Sequence, residues 1–205
     1  MIICILQKNE MKKVFVLILC LFTVSLIYAQ GPRKYGIKCA IVKTVTENAN
    51  GQKSYNTLWF DDYGARERSV VSMDYGRDMG TVEWVTVFPG DGSSYLLDES
   101  RNQASEVANA VIVNYLNMSD EMKAARKAKI LGEEMIDGRL CVKWEERVKQ
   151  ILGTAKITSW VWEGIPIKYD IDRPKSSTTL ISIEKKPSLP ASMFKIPEGY
   201  KVKKI

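Results

Sequence analysis

The chain has 205 residues, of which 30 are Lys or Arg and 24 are Asp or Glu, so its formal net charge is +6 at pH 7. Basic and acidic residues are interspersed rather than gathered into a stripe, which argues against a nucleic-acid partner. The sequence contains no histidine, and this excludes nucleophiles activated by imidazole and the commonest zinc ligand.

The first 29 residues have the three parts of a secretory signal peptide. Lys12 and Lys13 form a basic region, residues 14–26 are apolar, and Ala29 supplies the small residue before the cleavage site. The apolar run is shorter than the roughly 20 residues that span a bilayer. We therefore predict a signal peptide over residues 1–29 and one mature domain over residues 30–205, periplasmic or secreted, with no stable transmembrane segment. Met11 is an alternative start, because the residues before it add nothing that the signal needs.

Residues 35–98 alternate apolar and polar side chains between strong turn signals, which is typical of β-strands. Asn50-Gly51 and the stretch 89–92 mark the turns of two hairpins. We predict strands near residues 35–41, 54–61, 65–73, 81–88 and 94–97.

The pattern changes to helical spacing after Ser100, which fits a capping box together with Gln103. The apolar positions that follow recur at intervals of three and four residues: Ala104, Val107, Ala108, Val111, Ile112 and Tyr115. We predict an amphipathic helix over residues 104–115 and a shorter second helix over residues 119–127.

β structure resumes after the second helix, with Asp137-Gly138 as a further hairpin turn. Strands are predicted near residues 129–135, 140–148, 156–162, 165–171 and 178–184. Of these ten ranges we expect about nine to form strands. Together with one or two inserted helices they predict an α+β fold, in which helices pack on one face of an antiparallel sheet.

Two cysteines, Cys39 and Cys141, follow the predicted cleavage site. Alternation places Cys39 on an apolar strand face, but it places Cys141 on the face that carries Lys143 and Glu145. Because these environments differ, we expect free thiols. A disulfide is the alternative, since an oxidising compartment permits it.

Adjacent carboxylates occur at residues 61–62, 133–134 and 145–146. Neighbouring residues on a strand point to opposite faces, so no pair converges on a metal ion or a reacting bond. We interpret these carboxylates as solvated, and we expect no metal, no cofactor and no enzymatic activity.

All five tryptophans fall in predicted strands, and Trp160 and Trp162 share a face because they are two residues apart. They form either a large sheet core or part of the lining of an apolar cavity that is covered by the helix over residues 104–115. In the second interpretation the ligand-binding residues are Trp59, Trp84, Val111, Ile112, Tyr115, Trp160 and Trp162.

Three stretches carry a resemblance to known proteins: residues 129–145, residues 160–168 and residues 194–200. They resemble an uncharacterised family of bacterial envelope proteins, which is itself similar to the periplasmic lipoprotein carriers and their outer-membrane receptors, the LolA/LolB-like superfamily. The resemblance implies an antiparallel, incompletely closed β-barrel, or half-barrel, with helices packed on its concave face. Its motifs are hairpin turns and strand cores, so it transfers no functional residue.

These observations favour a non-catalytic envelope protein that binds a lipid, the acyl chain of a lipoprotein or another hydrophobic ligand in the half-barrel. The alternative is an envelope interaction or structural protein whose concavity is filled by its own side chains. A continuous apolar cavity would favour the first hypothesis, and a filled interior would favour the second.

The signal peptide leads to a direct prediction about the exported protein. Cleavage after Ala29 leaves Gln30 as the first residue of the mature chain. N-terminal sequencing of protein recovered from the periplasm or the medium checks this. A retained segment over residues 14–26 would contradict it.

Overall fold

The computed structural model describes residues 33–75, 80–107, 113–150 and 153–204. These residues contain one sheet of 12 strands and one α-helix, α1 (Asp120–Arg126). The strands are β1 (Ala40–Asn48), β2 (Lys53–Asp61), β3 (Arg66–Asp74), β4 (Thr81–Phe88), β5 (Tyr95–Asp98), β6 (Gln103–Glu106), β7 (Lys129–Ile136), β8 (Arg139–Gln150), β9 (Gly153–Trp162), β10 (Ile165–Asp172), β11 (Lys175–Lys185) and β12 (Lys201–Lys203).

The sheet is built from two antiparallel meanders that meet in its middle. Its order is β12-β6-β5-β4-β3-β2-β1-β11-β10-β9-β8-β7. The first meander runs from β1 to β6 and the second from β7 to β11, and β1 joins them by pairing with β11. Among the described strands, only the short β12 is parallel to its neighbour, β6. The prediction of an antiparallel sheet that does not close is therefore confirmed, but the sheet has 12 strands rather than about nine.

The predicted hairpin turns lie where the sequence indicated. Asn50-Gly51 joins β1 to β2, and Asp137-Gly138 joins β7 to β8. Asp137 and Gly138 have φ of 47° and 74°, and positive φ at both central residues matches the right-handed twist of the flanking strands. Residues 89–92 connect β4 to β5 as predicted.

The prediction of a helix over residues 104–115 is wrong in the parts that the structure describes. Asp98 caps a short 3-10 turn at Glu99–Arg101, and Asn102, with φ of 48°, reverses the chain. The next residues form β6 between β5 and β12. The polar run that resembled a helix cap is therefore a strand-to-strand turn. Val113 to Tyr115 are not helical, and Val111 and Ile112 lie outside the described residues.

The second predicted helix is confirmed as α1. The Ser119 hydroxyl accepts a hydrogen bond from the backbone N–H of Met122 at 3.2 Å, which satisfies one of the free donors of the first turn. Lys127, with φ of 47°, ends the helix in the left-handed conformation. No helix among the described residues combines the length and the apolar character needed to cross a membrane.

Among the described residues, three clusters of buried side chains hold the sheet together. The largest joins the first meander to the second and is centred on Phe60, Ile165 and Ile167. A second, around Val87, is covered by Ile196 and Tyr200 of the C-terminal segment. The third lies beneath α1 and contains Met118, Trp144 and Val161. Burial of this apolar area stabilises the fold by roughly 25 cal/mol per Å².

The residues that precede β1 form an N-terminal strap, residues 33–39, at the end of the sheet where β1 begins. The sequence pattern predicted a strand here, but β1 begins only at Ala40. The backbone N–H groups of Lys34 and Tyr35 both donate to the Tyr63 carbonyl at 3.0 Å, and that of Gly36 donates to the Glu163 carbonyl at 2.9 Å. The strap therefore links the β2–β3 connection to the β9–β10 turn.

Both cysteines are buried with free thiols. Cys39 is the last residue of the strap, and Cys141 lies in the largest cluster. Burial raises the pKa of both thiols, and at Cys39 the nearby Asp61 carboxylate raises that pKa further. A raised pKa lowers the fraction of reactive thiolate at neutral pH.

We therefore expect slow alkylation of both thiols in the native protein and fast alkylation once urea unfolds it. Mass spectrometry after iodoacetamide treatment, without reductant, counts the modified cysteines. An unfolded sample that has been reduced first serves as the control. Modification that appears only in the reduced sample would show that the two cysteines are paired.

Candidate ligand-binding site

A cavity of about 260 Å³ lies between β9, β10, the strap and the segment before α1. Its apolar walls come from Val113 before the helix and from Ile157, Pro166 and Ile171 on the two strands. Tyr35, Tyr115 and Tyr169 add aromatic surface, and the polar lining consists of Lys34, Arg126 and Ser159. A mostly apolar wall with a few converging polar groups is the usual composition of a small-molecule site.

Gly164, in the β9–β10 turn, also lines this cavity and lets the strap come close. Its φ is +77°, and a Cβ at this position would lie 2.4 Å from the Lys34 carbonyl oxygen. Any side chain would therefore push the strap away from the turn. The close approach places Lys34 and Tyr35 over β9 and β10.

A buried carboxylate anchors the opposite wall. Glu146, on β8, has no solvent exposure. The Tyr115 hydroxyl donates to its Oε1 at 2.5 Å, and the Nε of Arg126 donates to its Oε2. The Tyr115 hydroxyl also lies 3.3 Å from the Ser159 hydroxyl. This network fixes both ends of the chain from Tyr115 to the last residue of α1 on the sheet.

Burial raises the pKa of the Tyr115 phenol, and the negative charge of Glu146 raises it further. The phenol therefore stays protonated and remains a hydrogen-bond donor at physiological pH. The Tyr115 ring also packs against the Trp144 indole, with 5.7 Å between the ring centroids. The position of this side chain is thus set by both a polar and an apolar contact.

A second ion pair lies on the strap side. The Nζ of Lys34 donates to both carboxylate oxygens of Glu67, at 2.7 and 2.9 Å, and Glu67 is buried. Burial, together with the charge of Glu67, raises the pKa of the neighbouring Tyr35 phenol. Tyr35 packs on Phe60 of the core with a centroid separation of 4.3 Å.

A larger cleft, of about 930 Å³, lies near the other ends of β1, β9, β10 and β11. Its charged lining is balanced between cations and carboxylates: Glu47, Lys53, Lys156, Asp170, Asp172 and Lys175. Some of these groups bond within the wall, since the Lys156 backbone N–H donates to Asp172 and the Ser177 hydroxyl donates to Asp170. Apolar lining is also present, from Val45, Ala49 and Ile171, and Ile171 is shared with the smaller cavity.

The structure places one described residue of the predicted site, Tyr115, in the smaller cavity. Trp160 is buried in the largest core cluster, where its Nε1 donates to Glu134 at 2.7 Å, and Trp162 packs against the same cluster. Along β9 these two residues alternate with Ser159 and Val161, so they point away from the α1 side of the strand.

The other two predicted tryptophans lie on the first meander and line neither cleft. Trp59 is half-buried on β2, opposite Ile41 and Arg68. Trp84 is 37% exposed on β4, and its indole meets the Tyr75 ring edge-on. A ligand-binding role for these side chains stays a prediction.

The charged residues of the network were not predicted from the sequence. Glu146 belongs to an adjacent acidic pair that was interpreted as solvated, yet it is fully buried. Its partner Arg126 is 20 residues away in the chain. One signal was available, because Glu146 has the same strand parity as Trp144 and therefore shares its face.

The part of the chain that the structure describes contains no group of three or more His, Cys, Asp or Glu side chains that could hold a metal ion. The arrangement around the smaller cavity therefore offers apolar contact, hydrogen-bond donors and two cationic side chains.

No family model and no curated protein matches the chain, but solved structures do. An uncharacterised conserved protein from Thermus thermophilus has a TM-score of 0.48 at 9% identity, over 89% of this chain and 99% of that one. The Mycobacterium tuberculosis lipoprotein LppX has a TM-score of 0.37 at 12% identity, over 76% and 91%. A LolA superfamily protein from Nitrosomonas europaea has a TM-score of 0.36 at 11% identity, over 81% and 92%. The superfamily that the three sequence stretches resemble is thus represented among the solved structures that match.

The buried network leads to a stability prediction. Arg126→Met leaves the Glu146 carboxylate buried without its cationic partner, and we expect a loss of about 3–5 kcal/mol in the free energy of unfolding. Lys123→Met, on the same helix, breaks only the exposed pair with Asp120 and should change stability little. Urea denaturation of both variants checks this. Equal stability of the two variants would show that the buried pair does not hold the helix.

Proposed function

We propose that the protein is a non-catalytic binding protein of the cell envelope that holds an acyl chain, or another slender apolar group, in the smaller cavity. The observation that carries the proposal is the cavity's lining. Val113, Ile157 and Ile171 are only half-buried and face an unfilled space, although the side chains of the neighbouring clusters are closely packed. Covering these side chains with a ligand removes more apolar surface from water.

The size of the cavity restricts the ligand. Small-molecule pockets usually enclose roughly 300–1,000 Å³, so about 260 Å³ suits a narrow chain rather than a bulky ring system. Apolar burial contributes roughly 25 cal/mol per Å², from which the costs of association are subtracted. We therefore expect dissociation constants on the order of micromolar.

The polar groups around the cavity support binding rather than catalysis. The phenol of Tyr115 is committed to Glu146 and Ser159, and its raised pKa makes it a poor base at neutral pH. The sequence supplies no histidine that could act in its place. The location that we propose, periplasmic or secreted, is supported by the signal-peptide features of residues 1–29.

A role in protein–protein contact is the second candidate, because apolar side chains are exposed at one edge of the sheet. Ile130, Met135 and Leu140, on β7 and β8, are 59%, 60% and 57% exposed. β7 is the last strand of the sheet, and an edge with exposed apolar residues is available for pairing. This candidate would take the place of ligand binding if the cavity accepts no ligand.

Binding is tested with dodecanoic acid and 1-dodecanol, which share one alkyl chain. We expect either compound to raise the melting temperature of the protein, since each binds the folded state alone. Val113→Asp puts a charge on the cavity wall and should weaken binding by at least about tenfold. Leu96→Asp, at an exposed position on β5, is the matched control and should bind as the wild type does.

Calorimetric titration gives the affinities, and circular dichroism shows whether each variant is folded. If neither alkyl compound binds the wild-type protein, the proposed function is wrong. If Val113→Asp folds and binds as tightly as Leu96→Asp, the ligand lies outside this cavity.

A further inference from the structure

We propose that the natural ligand is an anionic amphiphile, whose alkyl chain occupies the cavity while its negatively charged head group pairs with Arg126. This inference rests on the proposed function, because it concerns the head group of a ligand in the same cavity. The proposal favours ligands that carry a carboxylate or a phosphate over neutral ligands such as an alcohol or an ester.

The lining of the cavity is asymmetric in charge. Lys34 and Arg126 line it, and no carboxylate among the described residues does. Their partners Glu67 and Glu146 lie behind them, with exposures of 6% and 0%. The two ion pairs are therefore oriented with the cations toward the cavity and the carboxylates toward the protein interior. A ligand in the cavity therefore lies closer to the side chains of Lys34 and Arg126 than to the two carboxylates. Its interaction with these cations is weakly screened because the site is partly buried.

Arg126 has donors left for a second anion. A guanidinium carries five N–H groups in a planar fork, and its Nε edge is used by Glu146. The two Nη nitrogens make no hydrogen bond to any residue in the described ranges, and the side chain is 16% exposed. One edge of the guanidinium is thus fixed by the protein, while the other can donate to a pair of carboxylate or phosphate oxygens.

Lys34 is the weaker candidate for the head group. Its ammonium already donates to both oxygens of Glu67, so fewer of its three donors are open. Its charge still favours an anion in the same cavity. A neutral alcohol or ester that covered Arg126 would remove water from the Nη donors and return only uncharged hydrogen bonds, which are weaker than those to a carboxylate or phosphate.

The experiment compares dodecanoic acid, dodecyl phosphate and 1-dodecanol at neutral pH and low salt, by calorimetric titration of the mature wild-type protein. We expect the anionic compounds to bind at least about tenfold more tightly than the alcohol. A preference for the acid alone identifies a fatty-acid carboxylate, and a preference for the phosphate alone identifies a phospholipid-type head group. Equal affinity for all three compounds overturns the anion proposal but leaves acyl-chain binding intact. No binding of any compound overturns both.

A double variant assigns the preference to Arg126. Arg126→Gln with Glu146→Gln removes both charges of the pair while keeping polar groups in place, and the anion preference should fall to about threefold or less. Asp120→Asn with Lys123→Gln removes an exposed pair from the same helix and should keep the full preference. A folded Arg126/Glu146 double variant with an unchanged preference would overturn the assignment. The wild-type comparison decides the anion preference even if that variant does not fold.

Discussion

Glu146 is a carboxylate with no access to solvent, on the strand next to the sheet edge. An isolated charge in such a place would cost several kcal/mol, so the fold requires a cation and donors beside it. Arg126 and Tyr115 meet that requirement from two ends of one segment. The hydrogen bonds that this one buried carboxylate requires therefore hold α1 and the residues before it against β8 and β9. This segment forms one wall of the cavity.

The opposite wall depends on a different constraint, the close approach of two backbones. Gly164 has no Cβ, and the strap passes over it with the Lys34 carbonyl where a Cβ would stand. Tyr35 then reaches Phe60 in the core, and Lys34 reaches Glu67. One wall is thus positioned by charge and the other by sterics. Between the two walls, β9 and β10 carry the half-buried side chains of Ile157 and Ile171, which line the cavity.

The sequence predicted the parts of the fold that depend on local chemistry. Asn50-Gly51 and Asp137-Gly138 are dipeptides that favour positive φ at neighbouring residues, and tight hairpins are the structures that use them. β6 could not be predicted in the same way, because its partners are β5 and the distant β12. A four-residue strand carries too short a pattern to outweigh apparent helical spacing.

The candidate site was predicted less well, for a related reason. Tyr115 was named because of helical spacing, yet it reaches the cavity from an irregular segment. The tryptophans were predicted to bind a ligand because of their size and their alternation along the strands. The Trp160 ring is instead buried in the core, and its Nε1 donates a hydrogen bond to Glu134. The importance of Glu146 depends on Arg126, which approaches it through tertiary folding. A pattern read along one strand carries no information about such a partner.

The pairing of β1 with β11 also determines the order in which the molecule can assemble. Each meander forms through contacts between neighbours in the chain, but the β1–β11 pairing brings together residues as far apart in the chain as Ala40 and Lys185. Contacts of such large sequence separation form slowly, since a long loop must close first. In a chain that is synthesised from its N-terminus, β1 therefore lacks its neighbour β11 until most of the chain has been made. An unpaired strand edge can pair with another chain, so this delay is also the interval in which the first meander is open to aggregation.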